Sequence, residues 1–381
     1  MANSWSQVDW IAAEALVHLE DALVIGRLAA TDKTADFLTT PNGYTVGDTV
    51  RIKTRPEYAV KEFDVDGSIT RQDIRESTRT MTIEKHYDVS VAVTAKEKVL
   101  DLESFSSQVI RPAAYAIAEK CDIFIGQKIL DAAGLYASTT LFESASDMAL
   151  ARKAATLQQL DPNRMCLVDL TLESTLLGAD YFNTYNNRGG SGETVFNSGS
   201  MGFAMGMNFY SSINFPSDSH TYGNGTTSTN NATATDNVIG ATALTVDATS
   251  GTFQAGDRIA IAGVRRPLKV ASQVTAGATS IPLTDPITEV IPDNAAVTVI
   301  SAGSTGLARG AIFDDRSLGF AMPRLDTPSD KPASVASSNG YSIRVVQGYD
   351  MDNKTETLSL DLLLGAVAYD PRRITLLRGD S

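Results

Sequence analysis

The chain has 381 residues, 43% of them hydrophobic and 20% charged, and a formal net charge of −13. Such a length can bury cores in two or three domains without disulfide or metal staples, and so acidic a surface disfavours direct binding of nucleic-acid phosphates. No run of about 18 apolar residues occurs, which excludes a transmembrane helix, and the first residues carry neither the basic nor the apolar part of a secretory signal.

The first element is helical. Trp5, Val8, Ile11, Ala12, Ala15, Leu16, Leu19, Leu23 and Ile25 recur at three and four between residues 5 and 30, with Ser4 or Ser6 as a cap. An amphipathic helix of this size reads equally as an arm that docks on a neighbouring subunit and as a core helix of its own chain.

Residues 44–98 are different in kind. After the turn signal Pro41-Asn42-Gly43 comes the alternating strand Thr49-Val50-Arg51-Ile52-Lys53. A second alternating stretch, 87–94, is expected to pair with it. The region holds about 20 charged residues, split evenly by sign. Two strands with so much exposed charge cannot make a core of their own, so the spacing predicts a projecting hairpin that packs against partners.

The longest helical pattern follows. Ile110, Ala114, Ile117, Cys121, Phe124, Ile125 and Ile129 mark one face of a helix over 108–133, with Pro112 near its start marking a first turn or a kink and Gly134 as its C-cap. Helix and strand signals then alternate. A helix over 148–160 ends at Asp161-Pro162-Asn163, 165–168 is a short buried strand, 172–177 a helix, 186–193 a Gly-rich loop and 207–210 a strand. Cys121 and Cys166 read as small buried hydrophobes rather than as a disulfide.

At Ser217 the composition shifts, and residues 220–236, almost wholly Gly, Thr, Ser, Asn and Ala, read as a linker or disordered loop. A repeat comes next: Gly240-Ala-Thr-Ala-Leu-Thr-Val246 is echoed by Gly277-Ala-Thr-Ser-Ile-Pro-Leu283. Likewise Gly256-Asp-Arg-Ile-Ala-Ile261 is echoed by Pro292-Asp-Asn-Ala-Ala-Val297. Short β-branched runs between turn signals predict a small β-barrel or sandwich inserted into a mixed core. Beyond it, 342–347 and 357–362 alternate as two strands about the turn 349–354, and 365–368 and 374–378 read as further strands.

Chemistry is sparse. His18, His86 and His220 fall far apart and no pair has metal-ligand spacing. No nucleophile elbow, Walker loop or dinucleotide fingerprint occurs. Asp350-Met-Asp352-Asn353 lacks the Gly and Glu of a calcium loop, and Arg188-Gly-Gly-Ser-Gly-Glu193 lacks the flanking strand and helix of a phosphate loop. No catalytic, cofactor or metal residue is assigned, and no enzyme activity is expected.

The order of these parts resembles the tailed-bacteriophage major capsid proteins of the Hong Kong 97 fold, an α+β class. Two stretches add to the likeness: Met201-Gly-Phe-Ala-Met-Gly-Met-Asn-Phe-Tyr-Ser-Ser-Ile-Asn-Phe-Pro216, and Tyr341-Ser-Ile-Arg-Val-Val-Gln-Gly-Tyr-Asp350 with Leu360-Asp-Leu-Leu-Leu-Gly365. The stretch Thr245-Val-Asp-Ala-Thr-Ser-Gly-Thr-Phe-Gln-Ala-Gly-Asp-Arg-Ile-Ala-Ile-Ala-Gly-Val264 is similar to the inserted β-barrel of the P22-like coat subgroup. In that group the domain supports subunit folding and contacts between capsomers. The resemblance implies an N-terminal arm (1–43), an E-loop projection (44–98), a peripheral domain with a spine helix (99–146) and a first axial part (147–216). It further implies an inserted β-barrel-like domain (217–305), an axial return (306–340) and peripheral-domain C-terminal strands (341–381).

What the resemblance implies of function is a shell subunit that assembles through hexamers and pentamers into an icosahedral head around double-stranded DNA, with few direct DNA contacts. The expected partners are copies of the chain, a separate scaffolding protein, a portal protein and a decoration or cement protein, with no membrane. The expected location is the virion capsid, assembled in the host cytoplasm. With only about 40 residues ahead of the projection, no N-terminal scaffolding segment is expected. Candidate inter-subunit contacts are the projection's charges: Arg51, Lys53, Arg55, Glu57, Lys61, Glu62, Asp64, Asp66, Arg71, Asp73, Arg75, Glu76 and Arg79. The rival reading is a β-rich fibre or adhesin subunit that binds a host surface.

Overall fold

The computed structural model describes residues 3–38, 49–53, 78–94, 105–138, 141–158, 160, 162–183, 199–216, 218, 220–233, 236–300, 307–351 and 355–379. In chain order its elements begin with α1 (Asn3–Ala22), α2 (Ile25–Leu28), α3 (Thr34–Leu38), β1 (Thr49–Lys53), β2 (Thr78–Thr82), β3 (Lys85–Thr94) and α4 (Arg111–Gln127). Then come β4 (Gly134–Ser138), α5 (Ala145–Leu157), β5 (Arg164–Val168), α6 (Leu170–Gly178), α7 (Asp180–Asn183), β6 (Phe203–Ala204) and β7 (Met207–Ser211). The short strands β8 (Thr226–Ser228), β9 (Ala243–Thr245), β10 (Arg258–Ile261), β11 (Leu268–Lys269), β12 (Ser280–Pro282) and β13 (Ala296–Val299) follow. The last are β14 (Leu307–Asp314), β15 (Leu318–Ala321), β16 (Ala333–Ser338), β17 (Tyr341–Asp350), β18 (Thr355–Ala368) and β19 (Thr375–Gly379). These elements form two units.

The first unit draws on Met1–Ile52, Arg79–Lys128 and Asp315–Tyr369. Its sheet runs β15-β18-β17-β16, with β3 also paired to β18. The apolar row Leu358, Leu360, Leu362 and Leu364 is buried on one face of β18. That row decides where 87–94 goes. Instead of joining β1, as expected, β3 pairs antiparallel with β18 over ten positions, with Val89 opposite Leu360 and Val91 opposite Leu358. Two rows of matching period line up on one face of the sheet, and a five-residue strand offers no such length. β1 pairs with β2 instead. There Ile52 and Met81 pack with Phe37, Ala321, Val367 and Tyr369.

Of the two readings open for α1, the structure holds the second. Val8, Ala12, Ala15, Leu16 and Leu19 are buried, and the helix packs on α4, β16 and β17 of its own chain. A π turn, Ser106–Ile110, runs directly into α4, and its wider turn accommodates Pro112 inside a continuous helical run. Wholly buried Asp122 on α4 accepts from Val24 N at 2.8 Å and Gly26 N at 2.9 Å, fixing the turn that opens α2.

Gly319 in β15 permits a close approach: a Cβ there would clash with the Tyr369 ring. The Tyr369 hydroxyl donates to Asp32 at 2.9 Å, so the ring is not free to swing aside. Gly319→Ala is expected to cost about 1–3 kcal/mol by overpacking, read as a lower urea midpoint with an unchanged slope.

The second unit comprises Lys53–Thr78, Ile129–Asp314 and Asp370–Ser381. A six-stranded sheet runs β4-β19-β14-β5-β7-β6, parallel at β4–β19 and β5–β7. Two expectations are corrected here. The closing strand, expected among the peripheral strands of 341–381, lies between β4 and β14 in this second sheet. Gly134, expected as a helix cap, is the first residue of β4, after the 3-10 turn Lys128–Asp131 has ended the helix. Its value is clearance, since a Cβ would sit 2.7 Å from Thr375 Oγ1 and 2.9 Å from the Ile374 carbonyl.

α5 and α6 start on side-chain caps: Ser144 Oγ accepts from Asp147 N at 3.3 Å, and Asp169 Oδ1 from Leu172 N at 2.7 Å. The helices cover a core of Phe142, Met148, Cys166, Leu172, Phe182, Met207, Ile312 and Leu377.

The described part of 220–236, expected as a linker or disordered loop, is instead built into the β-rich segment. β8 pairs with β13, and Thr229 is wholly buried. Its hydroxyl donates to the Pro292 carbonyl at 2.6 Å and accepts from Ala295 N at 2.8 Å. Composition misleads here because threonine holds its place through hydrogen bonds and a β-branched stem, not through apolar bulk. The repeat has a structural meaning: each half pairs antiparallel with its echo. Leu244 faces Ile281, while Ile259 faces Val299 and Ile261 faces Val297. All six are buried.

Candidate assembly surfaces

Of the predicted contact charges, the described residues include three. Arg51 and Lys53 are exposed on β1, alternating with Ile52. Arg79 is half-buried two residues before Met81, on the opposite, inward face of the pair. The three therefore do not share one face. Arg55, Glu57, Lys61, Glu62, Asp64, Asp66, Arg71, Asp73, Arg75 and Glu76 lie outside the described residues, as do the loop 188–193 and Asp352-Asn353.

The chain also exposes large apolar side chains that charge counting did not reveal. Trp10 is 59% exposed and Val17 56% on α1. Leu150 is 46% exposed and Leu157 36% on α5. Phe203, Ile213 and Met351 are more than half exposed in the strands and turns. Grouped apolar exposure marks a binding surface. A signal for it existed: Trp10, Ala13 and Val17 stand at i, i+3 and i+7, a second stripe beside the dominant one.

Several of the described titratable side chains are engaged structurally. Asp361, 4% exposed, accepts from Arg344 Nε at 2.9 Å, and His86 Nε2 lies 2.9 Å from its other oxygen. Hydrogen bonding to Asp361 holds the Arg344 guanidinium above its ordinary range. His220 Nε2 lies 2.9 Å from wholly buried Asp257, which also accepts from Gln254 N at 2.7 Å. His18 meets Tyr115 edge-on, 6.3 Å between ring centroids. Among the described residues no group of three His, Cys, Asp or Glu side chains could hold a metal ion.

Cys121 and Cys166 are both free and wholly buried. Burial pushes both thiols well above their usual range. Neither thiol is expected to react with Ellman's reagent at pH 8 in the folded chain, and both are expected to react once it is unfolded in guanidinium.

Arg258 and Lys269 tie the β-rich segment to the second unit's core, Lys269 by donating to the Asp131 carbonyl at 3.2 Å. Arg258, 2% exposed, donates to the Leu130 carbonyl at 2.9 Å, to the Ala132 carbonyl at 2.9 and 3.0 Å and to the Tyr222 hydroxyl at 2.9 Å. Arg378 of β19 stacks over the Tyr222 ring, 4.4 Å from its centroid. Cations suit this place, because Leu130 and Ala132 carry carbonyls freed at a helix end.

No family model matches the chain, and no curated protein matches it. Among solved structures, it is similar to a chain from Mycobacterium phage Che8, with a TM-score of 0.52 and 11% identity over 93% of this chain and 90% of that one. It is also similar to a chain in the capsid structure of the cyanophage P-SCSP1u, with a TM-score of 0.50 and 12% identity over 91% of this chain and 88% of that one. At this identity the likeness is one of fold, and the chain has the α+β fold of a phage capsid protein, the Hong Kong 97 type that its order of elements resembles.

Proposed function

We propose that the chain is the major capsid protein of a tailed bacteriophage, assembling through hexamers and pentamers into an icosahedral head around double-stranded DNA. The observation that carries this reading is likeness of fold to a cyanophage capsid chain over 91% of the length. Exposed apolar stripes on a lone chain add support, since a subunit covers such surfaces only on assembly. The role is structural rather than catalytic. Scaffolding, portal and decoration proteins are the proposed partners, the virion capsid the proposed location and the host cytoplasm the proposed site of assembly. With a net charge of −13, contacts to the enclosed DNA are expected to be few. A fibre or adhesin has only the short insert in its favour.

Electron microscopy of the purified chain, expressed with the other head genes of its source, tests the proposal. Closed shells of uniform diameter are the expected result. Compact monomers under every condition would overturn it, and filaments would favour the fibre.

The projection's charges keep their proposed role as inter-subunit ion pairs. Each exposed pair contributes about 0–1 kcal/mol, so strength must come from repetition over many copies. Reversing Arg71 and Arg75 together to glutamate is expected to lower shell yield in a sedimentation assay; an unchanged yield would leave them as solvated charges.

A further inference from the structure

Two helices of this chain carry exposed faces of the same spacing and opposite charge. On α1 the stripe is Trp10, Ala13 and Val17, all exposed. The helix has the acids Asp9, Glu14, Glu20 and Asp21 and no lysine or arginine. On α5 the stripe is Leu150, Lys153 and Leu157, again exposed at i, i+3 and i+7. Each stripe runs about 10 Å along its helix. Neither Asp9 nor Lys153 forms an ion pair among the described residues.

We propose that α1 of one copy packs on α5 of a second copy. The inference rests on the shell reading above and names one of its contacts. Trp10 and Val17 bury against Leu150 and Leu157. Small Ala13 leaves room for the aliphatic stem of Lys153, whose ammonium then reaches toward Asp9. Charge selects this pairing. Two copies of α1 would set carboxylates against carboxylates, whereas Lys153 of α5 meets Asp9 of α1. The two faces differ, so the contact is heterologous. Every copy offers α1 to one neighbour and α5 to the next, the arrangement that closes into rings.

A mixing experiment with full-length chains tests it. Ala13→Cys and Ala149→Cys are exposed, small substitutions near the two stripes, and the native thiols are buried. Assembled particles made from an equal mixture of the two variants and treated with a short bis-maleimide are expected to give a covalent dimer on a denaturing gel. Particles of either variant alone are expected to give none. Dimers from Ala13→Cys alone, or shells whose mixture never cross-links, would overturn this contact while leaving the shell reading standing. A chain that forms no particles at all overturns the shell reading, and this contact with it.

Discussion

Replacing Asp122 by alanine is expected to destabilise the chain by about 3–5 kcal/mol, the largest effect of any single substitution proposed here. The carboxylate is wholly buried and receives two backbone N–H groups, from Val24 and Gly26, across 98 and 96 residues of sequence. Charge-assisted bonds of this kind contribute roughly 1.5–3 kcal/mol each, and the substitution strands both donors in a low-dielectric interior. Asp122→Asn keeps one acceptor but turns an amide donor toward the site, so it recovers only part of the loss. Urea unfolding at constant slope measures both. A cost of Asp122→Ala below about 1 kcal/mol would mean that water replaces the carboxylate freely.

Arg258→Met is expected to cost about 2–4 kcal/mol. Methionine fills much of the same space but leaves the carbonyls of Leu130 and Ala132 and the Tyr222 hydroxyl without their donor. Arg258→Lys should restore a fraction, because a point charge cannot reproduce the fork that reaches both carbonyls. Loss of this anchor is expected to appear as faster proteolytic cutting in 217–300 together with a lower global midpoint. Equal cutting rates in the variant and the unaltered chain would refute the anchor.

The long helix was legible because helical periodicity is a local signal. Ile110, Ala114, Ile117, Cys121, Phe124, Ile125 and Ile129, all read from spacing, are each 4% exposed or less. Strand partnership is not local. Alternation at Tyr87, Val89 and Val91 says that one face is covered, but nothing in those residues names β18, more than 250 positions on, as the partner. The same limit hid the destination of β19. Gly134 shows another: a glycine after a helix is read first as a cap, while the demand for clearance comes from Thr375 and Ile374 at the far end of the chain. As for the candidate surfaces, charge density drew attention to the projection. The apolar faces of α1 and α5 were overlooked because each sits beside a stronger stripe that explains its helix already.

The first unit is stitched from three separated stretches of chain, and synthesis must therefore deliver it out of order. α1 leaves the ribosome early, yet β16 and β17, against which it packs, lie beyond residue 332. At roughly 5–20 residues per second its oily face waits on the order of tens of seconds for those strands. The β-rich segment, whose repeats close on one another within about sixty residues, has no such delay. A nascent chain thus carries a finished module behind an unfinished one, a situation that invites a chaperone to hold the N-terminal helix until its late-arriving cover is made.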